Sequence, residues 1–178
     1  PRGARNCASA PSSCGYPDAT NTGVTPGTQL TDVPGNATSG SGWTWDRTNQ
    51  NITVNTNGAV LQNLVVHGSI EVYASNVTIK NVHVINNGDW WAIGLHGSAN
   101  TTIDHVQISS DPAKNRLEVG IKDVTGSSSG TRIEHTDISG VDTGIQVHEA
   151  SSRTTTSTTF ASTPATTSTG SPPTDRPP

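Results

Sequence analysis

The chain is 178 residues long with a formal net charge of −4, which fits one domain with a tail and argues against nucleic acid or an acidic membrane as its main partner. Hydrophobic residues make up 30% of it, too few for a conventional layered core, and no apolar run approaches the length of a membrane span. Disorder throughout is excluded as well, because aliphatic residues recur regularly between Ile52 and Glu149.

In chain order, residues 1–13 read as an irregular, mobile N-terminal segment. The sequence opens at Pro1 without the charged and apolar regions of a signal peptide, so an export signal is expected to have been removed or to lie outside it. Cys7 and Cys14 are the two cysteines. In a Pro/Ser/Gly-rich stretch they point to a local disulfide, and so to a secreted protein. From Cys14 the chain runs Cys14-Gly15-Tyr16-Pro17-Asp18-Ala19-Thr20-Asn21-Thr22-Gly23-Val24. This phrase resembles the opening of secreted actinobacterial right-handed parallel β-helix repeat proteins, of pectate-lyase-like architecture. The resemblance covers roughly residues 14–150. It implies fold and export; the group carries no general activity to transfer. Residues 14–51 are expected to form an N-terminal cap. Trp43-Thr44-Trp45 puts both indoles on one face of an extended segment, a pattern that suits covering the first coil better than stacking on a sugar.

Residues 52–150 carry the repeats. Four phrases align: Leu61 to Val66, Ile79 to Val84, Ile103 to Ile108 and Ile133 to Ile138, starting 18, 24 and 30 residues apart. Each has an aliphatic residue, a polar residue, Asn or His, a variable pair and a second aliphatic residue. Units this small cannot bury their own apolar face and must stack. The fold expected is an all-β, right-handed parallel β-helix (a solenoid) of about four to five coils. Stacking predicts inward columns Leu61/Ile79/Ile103/Ile133 and Val66/Val84/Ile108/Ile138. Between them Asn63/Asn81/His105/His135 fall at a corner, where amides can bond along the stack. The longer coils must bulge at Asn86 to Trp91 and at Ser109 to Arg116, and loops on a rigid frame are where specificity resides.

Trp90 and Trp91 beside Asp89 suit stacking on sugar rings, and adjacent positions in a strand point opposite ways, so at most one indole is expected to be exposed. Asp89, Trp90, Trp91 and His96 are the candidate substrate-binding residues. A second phrase aligns Glu71/Gly94/Lys122/Gln146 and Tyr73/His96/Val124/His148. A polysaccharide lyase needs a base and commonly Ca²⁺, and a hydrolase needs two carboxylates. Lys122, Asp123, His148 and Glu149 are the weak catalytic candidates; they form no recognisable constellation, and solvated surface charge accounts for each of them better. The six histidines lack the tight spacing of zinc sites, so no metal is expected. Four Asn-x-Thr sequons, at Asn36, Asn51, Asn76 and Asn100, read as turn sequence.

Residues 151–178 are Ser/Thr/Pro-rich and read as a disordered linker. The sharper reading, and the one preferred to the linker, is a frameshift product: moved back one base, the codons of Ser152 to Thr159 can encode Val-Glu-Asp-Asn-Tyr-Ile-His-Asp, a fifth coil. An uncapped last coil would favour self-association. The function expected is a module that engages an extracellular polysaccharide. The rivals are a polysaccharide lyase or glycoside hydrolase of the same architecture, and a structural or adhesive solenoid without a glycan site.

Overall fold

The computed structural model describes residues 7–86, 88, 90–110 and 117–149, together with the backbone of 156–159. Apart from one turn of 3-10 helix at Pro11–Cys14, its regular structure is all-β. Three short strands come first: β1 (Thr31–Val33), β2 (Ser39–Gly40) and β3 (Trp43–Asp46). Then follow β4 (Asn51–Val54), β5 (Val60–His67), β6 (Ser69–Val72), β7 (Thr78–Asn86), β8 (Trp91–Leu95) and β9 (Thr102–Ser110). The series closes with β10 (Leu117–Asp123), β11 (Arg132–Glu134), β12 (Thr136–Ser139), β13 (Val141–Gln146) and β14 (Thr156–Thr159).

From β4 onward the chain alternates between two sheets. One sheet runs β1-β5-β7-β9-β12-β14, with β11 also on β9; the other runs β13-β10-β8-β6-β4-β3-β2. Each circuit of chain therefore lays one strand on each sheet, parallel to its counterpart from the circuit before. The second sheet is mixed at one edge, where β2, β3 and β4 pair antiparallel.

The aliphatic columns fix this register. Leu61, Ile79, Ile103 and Ile133 pair in succession, as do Val66, Val84, Ile108 and Ile138. Ile52, Ile70, Ile93, Ile121 and Ile145 form the matching column of the second sheet. These residues, Ile145 only in part, are buried in one core. A slip by one residue would turn each column to solvent.

The corner expected in the sequence is a backbone feature. Asn63, Asn81, His105 and His135 all take positive φ, between 45° and 57°, a conformation that Asn and His enter more readily than most residues. The amide ladder lies in a different column. Asn76 and Asn100 also have positive φ, and Asn100 Nδ2 donates to Asn76 Oδ1 at 3.2 Å. Two of the four Asn-x-Thr sites are thus turn positions.

The N-terminal segment does two jobs. Cys7 and Cys14 form a disulfide with Cα atoms 5.7 Å apart; residues 1–6 of the segment expected to be mobile lie outside the described residues. Asp18 braces the next loop by accepting from the Thr20 hydroxyl and from the Thr20 and Ser12 backbone N–H groups, and the bonds from Thr20 and Ser12 hold its carboxyl well below the usual range. The Gly23 N–H then donates to the His135 carbonyl at 2.8 Å, and Thr25 donates twice to Asn81 Oδ1. Residues 18–25 are a strap along the positive-φ corner. The capping proper comes from β1, which extends the first sheet, and from β3, where Trp43 is buried and Trp45 packs on the core. At the far end the backbone of β14 pairs parallel with β12. The rest of 151–178, on which the linker and frameshift readings bear, lies outside the described residues. No helix among the described residues is long and apolar enough to cross a membrane.

Ile103 is fully buried between Ile79 and Ile133. Ile103→Ala is expected to lose about 2–5 kcal/mol of stability in chemical denaturation. Asp137 on β12 is half-buried, and burial pushes its carboxyl above the usual value. Stability from such a group is full below the ordinary Asp value of about 3.9 and is lost as pH rises through the raised value. Asp137→Asn is therefore expected to exceed wild type in stability near neutral pH, and paired denaturation curves should converge in acid.

Candidate functional site

The outward face of the second sheet carries Thr53, Glu71, Gly94, Lys122 and Gln146 side by side on successive strands. Gly94 is the decisive position. A methyl group there would collide with Glu71 Oε2 and Trp91 Nε1. With glycine in that place, the Trp91 indole lies across its own strand and donates to Glu71 Oε1 and Oε2, at 3.0 and 3.1 Å. The Ser69 hydroxyl donates to Oε1 at 2.8 Å, and His96 Nε2 lies 2.7 Å from Oε2. His96 stacks on Tyr73, with ring centroids 4.3 Å apart, and meets Trp91 edge-on at 6.5 Å. The Lys122 ammonium sits 5.2 Å above the Trp91 ring, within cation–π range. Partial burial and the Glu71 carboxylate push the Tyr73 phenol above its ordinary value.

Beside this assembly opens a cleft of about 350 Å³, within the range that takes small ligands. Its lining is polar: the amides of Asn49, Asn51 and Asn86, then His67, Ser69 and Glu71, with the indoles of Trp90 and Trp91. Trp90 is 66% exposed while Trp91 is half-buried, as adjacent residues on an extended chain should be. The rings lie 6.2 Å apart and tilted. Asn86 pins the excursion between β7 and β8, donating to the Trp91 carbonyl at 2.5 Å and accepting from the Gly88 N–H at 2.6 Å.

Of the residues singled out in the sequence, Trp90, Trp91, His96 and Lys122 come together here. Asp89 lies outside the described residues, as do 111–116 of the second excursion. Asp123 faces inward and clasps the turn after β10, accepting from the Gly126 and Ser128 N–H groups and the Ser128 hydroxyl at 3.0–3.1 Å. His148 and Glu149 are exposed in the bend after β13, two strands across the sheet from β8. Asn86 belongs to the excursion expected to carry specificity, whereas Glu71, Ser69, Asn49, Asn51 and His67 were not legible as site residues. The one usable signal for Glu71 was the glycine beside it in the aligned phrase. Elsewhere, at the positive-φ corner, one ligand atom each of Asp104, His105 and His135 lies within 4.8 Å of the others.

No family model, curated protein or solved structure matches the chain.

Glu71 holds three neighbours at once, so truncation strands their donors. Glu71→Ala is expected to cost about 1–3 kcal/mol in denaturation and to shift tryptophan emission to the red, with Glu71→Gln costing less because it keeps an acceptor oxygen.

Proposed function

We propose that this chain is an exported right-handed parallel β-helix that binds an extracellular polysaccharide in the cleft beside Trp90 and Trp91. The alternation of strands between two largely parallel sheets is compatible with that architecture. The Cys7–Cys14 disulfide suits an oxidising compartment.

The observation that carries the binding reading is the exposed indole of Trp90 at a cleft otherwise lined by amides, an imidazole, a hydroxyl and a carboxylate. A sugar ring presents apolar C–H faces and a rim of hydroxyls. Its faces suit an aromatic platform; its hydroxyls need both donors and acceptors, which side-chain amides supply. Thr53, Lys122 and Gln146 continue the polar row across neighbouring strands. That row gives an extended chain more than one place to rest.

Cleavage is the second reading, favoured by Lys122 beside the cleft's aromatic wall, in the place where a lyase would keep its base. Two observations weigh toward binding alone. Glu71 is engaged by three side chains, and Asp123 is closed within its turn. Both carboxylates are already held in place by these hydrogen bonds.

Trp90→Ala removes the stacking surface without touching the core. Retention on a panel of pectic, alginate and plant-wall polymers is expected to weaken about ten-fold, the equivalent of roughly 1.4 kcal/mol. Unchanged retention would favour an adhesive or structural solenoid. Release of new ends or unsaturated products by the wild type would make the protein an enzyme.

A further inference from the structure

In the first two phrases the positive-φ corner is asparagine, Asn63 and Asn81; in the next two it is histidine, His105 and His135. Stacking then places the two imidazoles almost parallel, 4.4 Å apart at an interplanar angle of 23°. Both turn Nδ1 toward one atom, Asp104 Oδ1, at 2.7 Å from His105 and 2.9 Å from His135. Asp104 precedes His105 on β9, so a carboxylate and two imidazoles come from two adjacent circuits. Asp104 Oδ2 carries the Lys80 ammonium at 3.2 Å, which leaves Oδ1 to the histidines.

From this geometry we propose that Asp104, His105 and His135 form a binding site for a divalent transition-metal ion of the Zn²⁺ class. Two nitrogens and one carboxylate oxygen, with a position left for water, are a common zinc donor set. Calcium is excluded as the natural occupant because it takes oxygen ligands almost throughout. The side chains are 17–43% exposed, so an ion can enter without unfolding the corner. In the empty site an ionised carboxylate can only accept, so each Nδ1 carries its proton. On binding, the ion takes the Nδ1 lone pairs of neutral imidazoles whose proton has moved to Nε2. Tetrahedral zinc ligands stand about 3.3 Å apart, so the two Asp104 contacts need open only slightly, within the reach of side-chain rotation. Lys80 neutralises Asp104 when the ion is absent and opposes the ion when it arrives.

The test uses untagged protein of the full sequence, with Zn²⁺, Ni²⁺ and Co²⁺ each titrated alone by calorimetry. The expected result is one equivalent bound per chain, with Co²⁺ showing visible d–d absorption. His105→Asn and His135→Asn put back the residue of the preceding circuits, which the corner accepts. Each is expected to weaken binding at least about 100-fold, beyond what loss of a supporting residue costs, while the metal-free circular dichroism is unchanged. Lys80→Met is expected to tighten binding by up to about five-fold. In wild type, Zn²⁺ should shift the ring resonances of His105 and His135 and leave the other four histidines in place. No binding at millimolar metal, binding that survives the His105→Asn/His135→Asn pair, or shifts confined to other histidines would each overturn the proposal.

Discussion

Parallel pairing without slip is the constraint on which the rest of the structure depends. A strand here has no use for its own aliphatic residues until the next circuit sets the same residues beside them. Ile79 is buried because Leu61 and Ile103 flank it, and each of those depends on the same arrangement. The residues of both sheets bury one another in a single core, so each aliphatic column depends on its neighbours for its burial. Register is held twice over. The aliphatic columns penalise any shift, and the positive-φ corner at Asn63, Asn81, His105 and His135 allows the turn at one residue of each phrase.

The same constraint builds the chemistry. Because equivalent residues lie side by side, a substitution in one circuit is felt by its neighbours in the adjoining ones. Gly94 beside Glu71 vacates the space into which Trp91 folds. His105 beside His135 turns an asparagine corner into a pair of imidazoles on one carboxylate. Burial alone would raise the Asp104 carboxyl, yet the donors His135, Lys80 and His105 together hold it below its ordinary value. These clusters occupy different sheets: one lies on the outward face beside a cleft, the other at a corner beneath the N-terminal strap.

Much of this was legible in the sequence, and the reason is physical. Columns of like residues are a one-dimensional signal, so both aliphatic columns of the first sheet and the corner between them could be read by aligning four phrases. The opposed directions of Trp90 and Trp91 followed from strand alternation, and the burial of Trp43 with the packing of partly buried Trp45 on the core fits a role in closing the first circuit. What escaped was anything that needed side-chain reach between circuits. The Glu71 assembly depends on an indole crossing its own strand, which no periodicity encodes. The proximity of two histidines was hidden because close spacing in sequence finds only ligands that share one short segment. In stacked circuits, residues a whole circuit apart are neighbours, so His105 and His135 meet although 30 positions separate them. The amide ladder, expected at Asn63 and Asn81, runs through Asn76 and Asn100. Both columns carry asparagine, and composition could not choose between them.

The binding reading rests on the two indoles at the cleft, and the protein contains its own control. Its four tryptophans divide into Trp43 and Trp45 on the first circuit and Trp90 and Trp91 at the cleft. The most direct measurement is the set of four indole N–H resonances during titration with oligosaccharides from pectic, alginate and plant-wall polymers. The Trp90 and Trp91 signals should move with a shared saturation curve for at least one sugar class while Trp43 and Trp45 stay fixed. Signals that remain still across the whole panel, or movement confined to Trp43 and Trp45, would contradict the account.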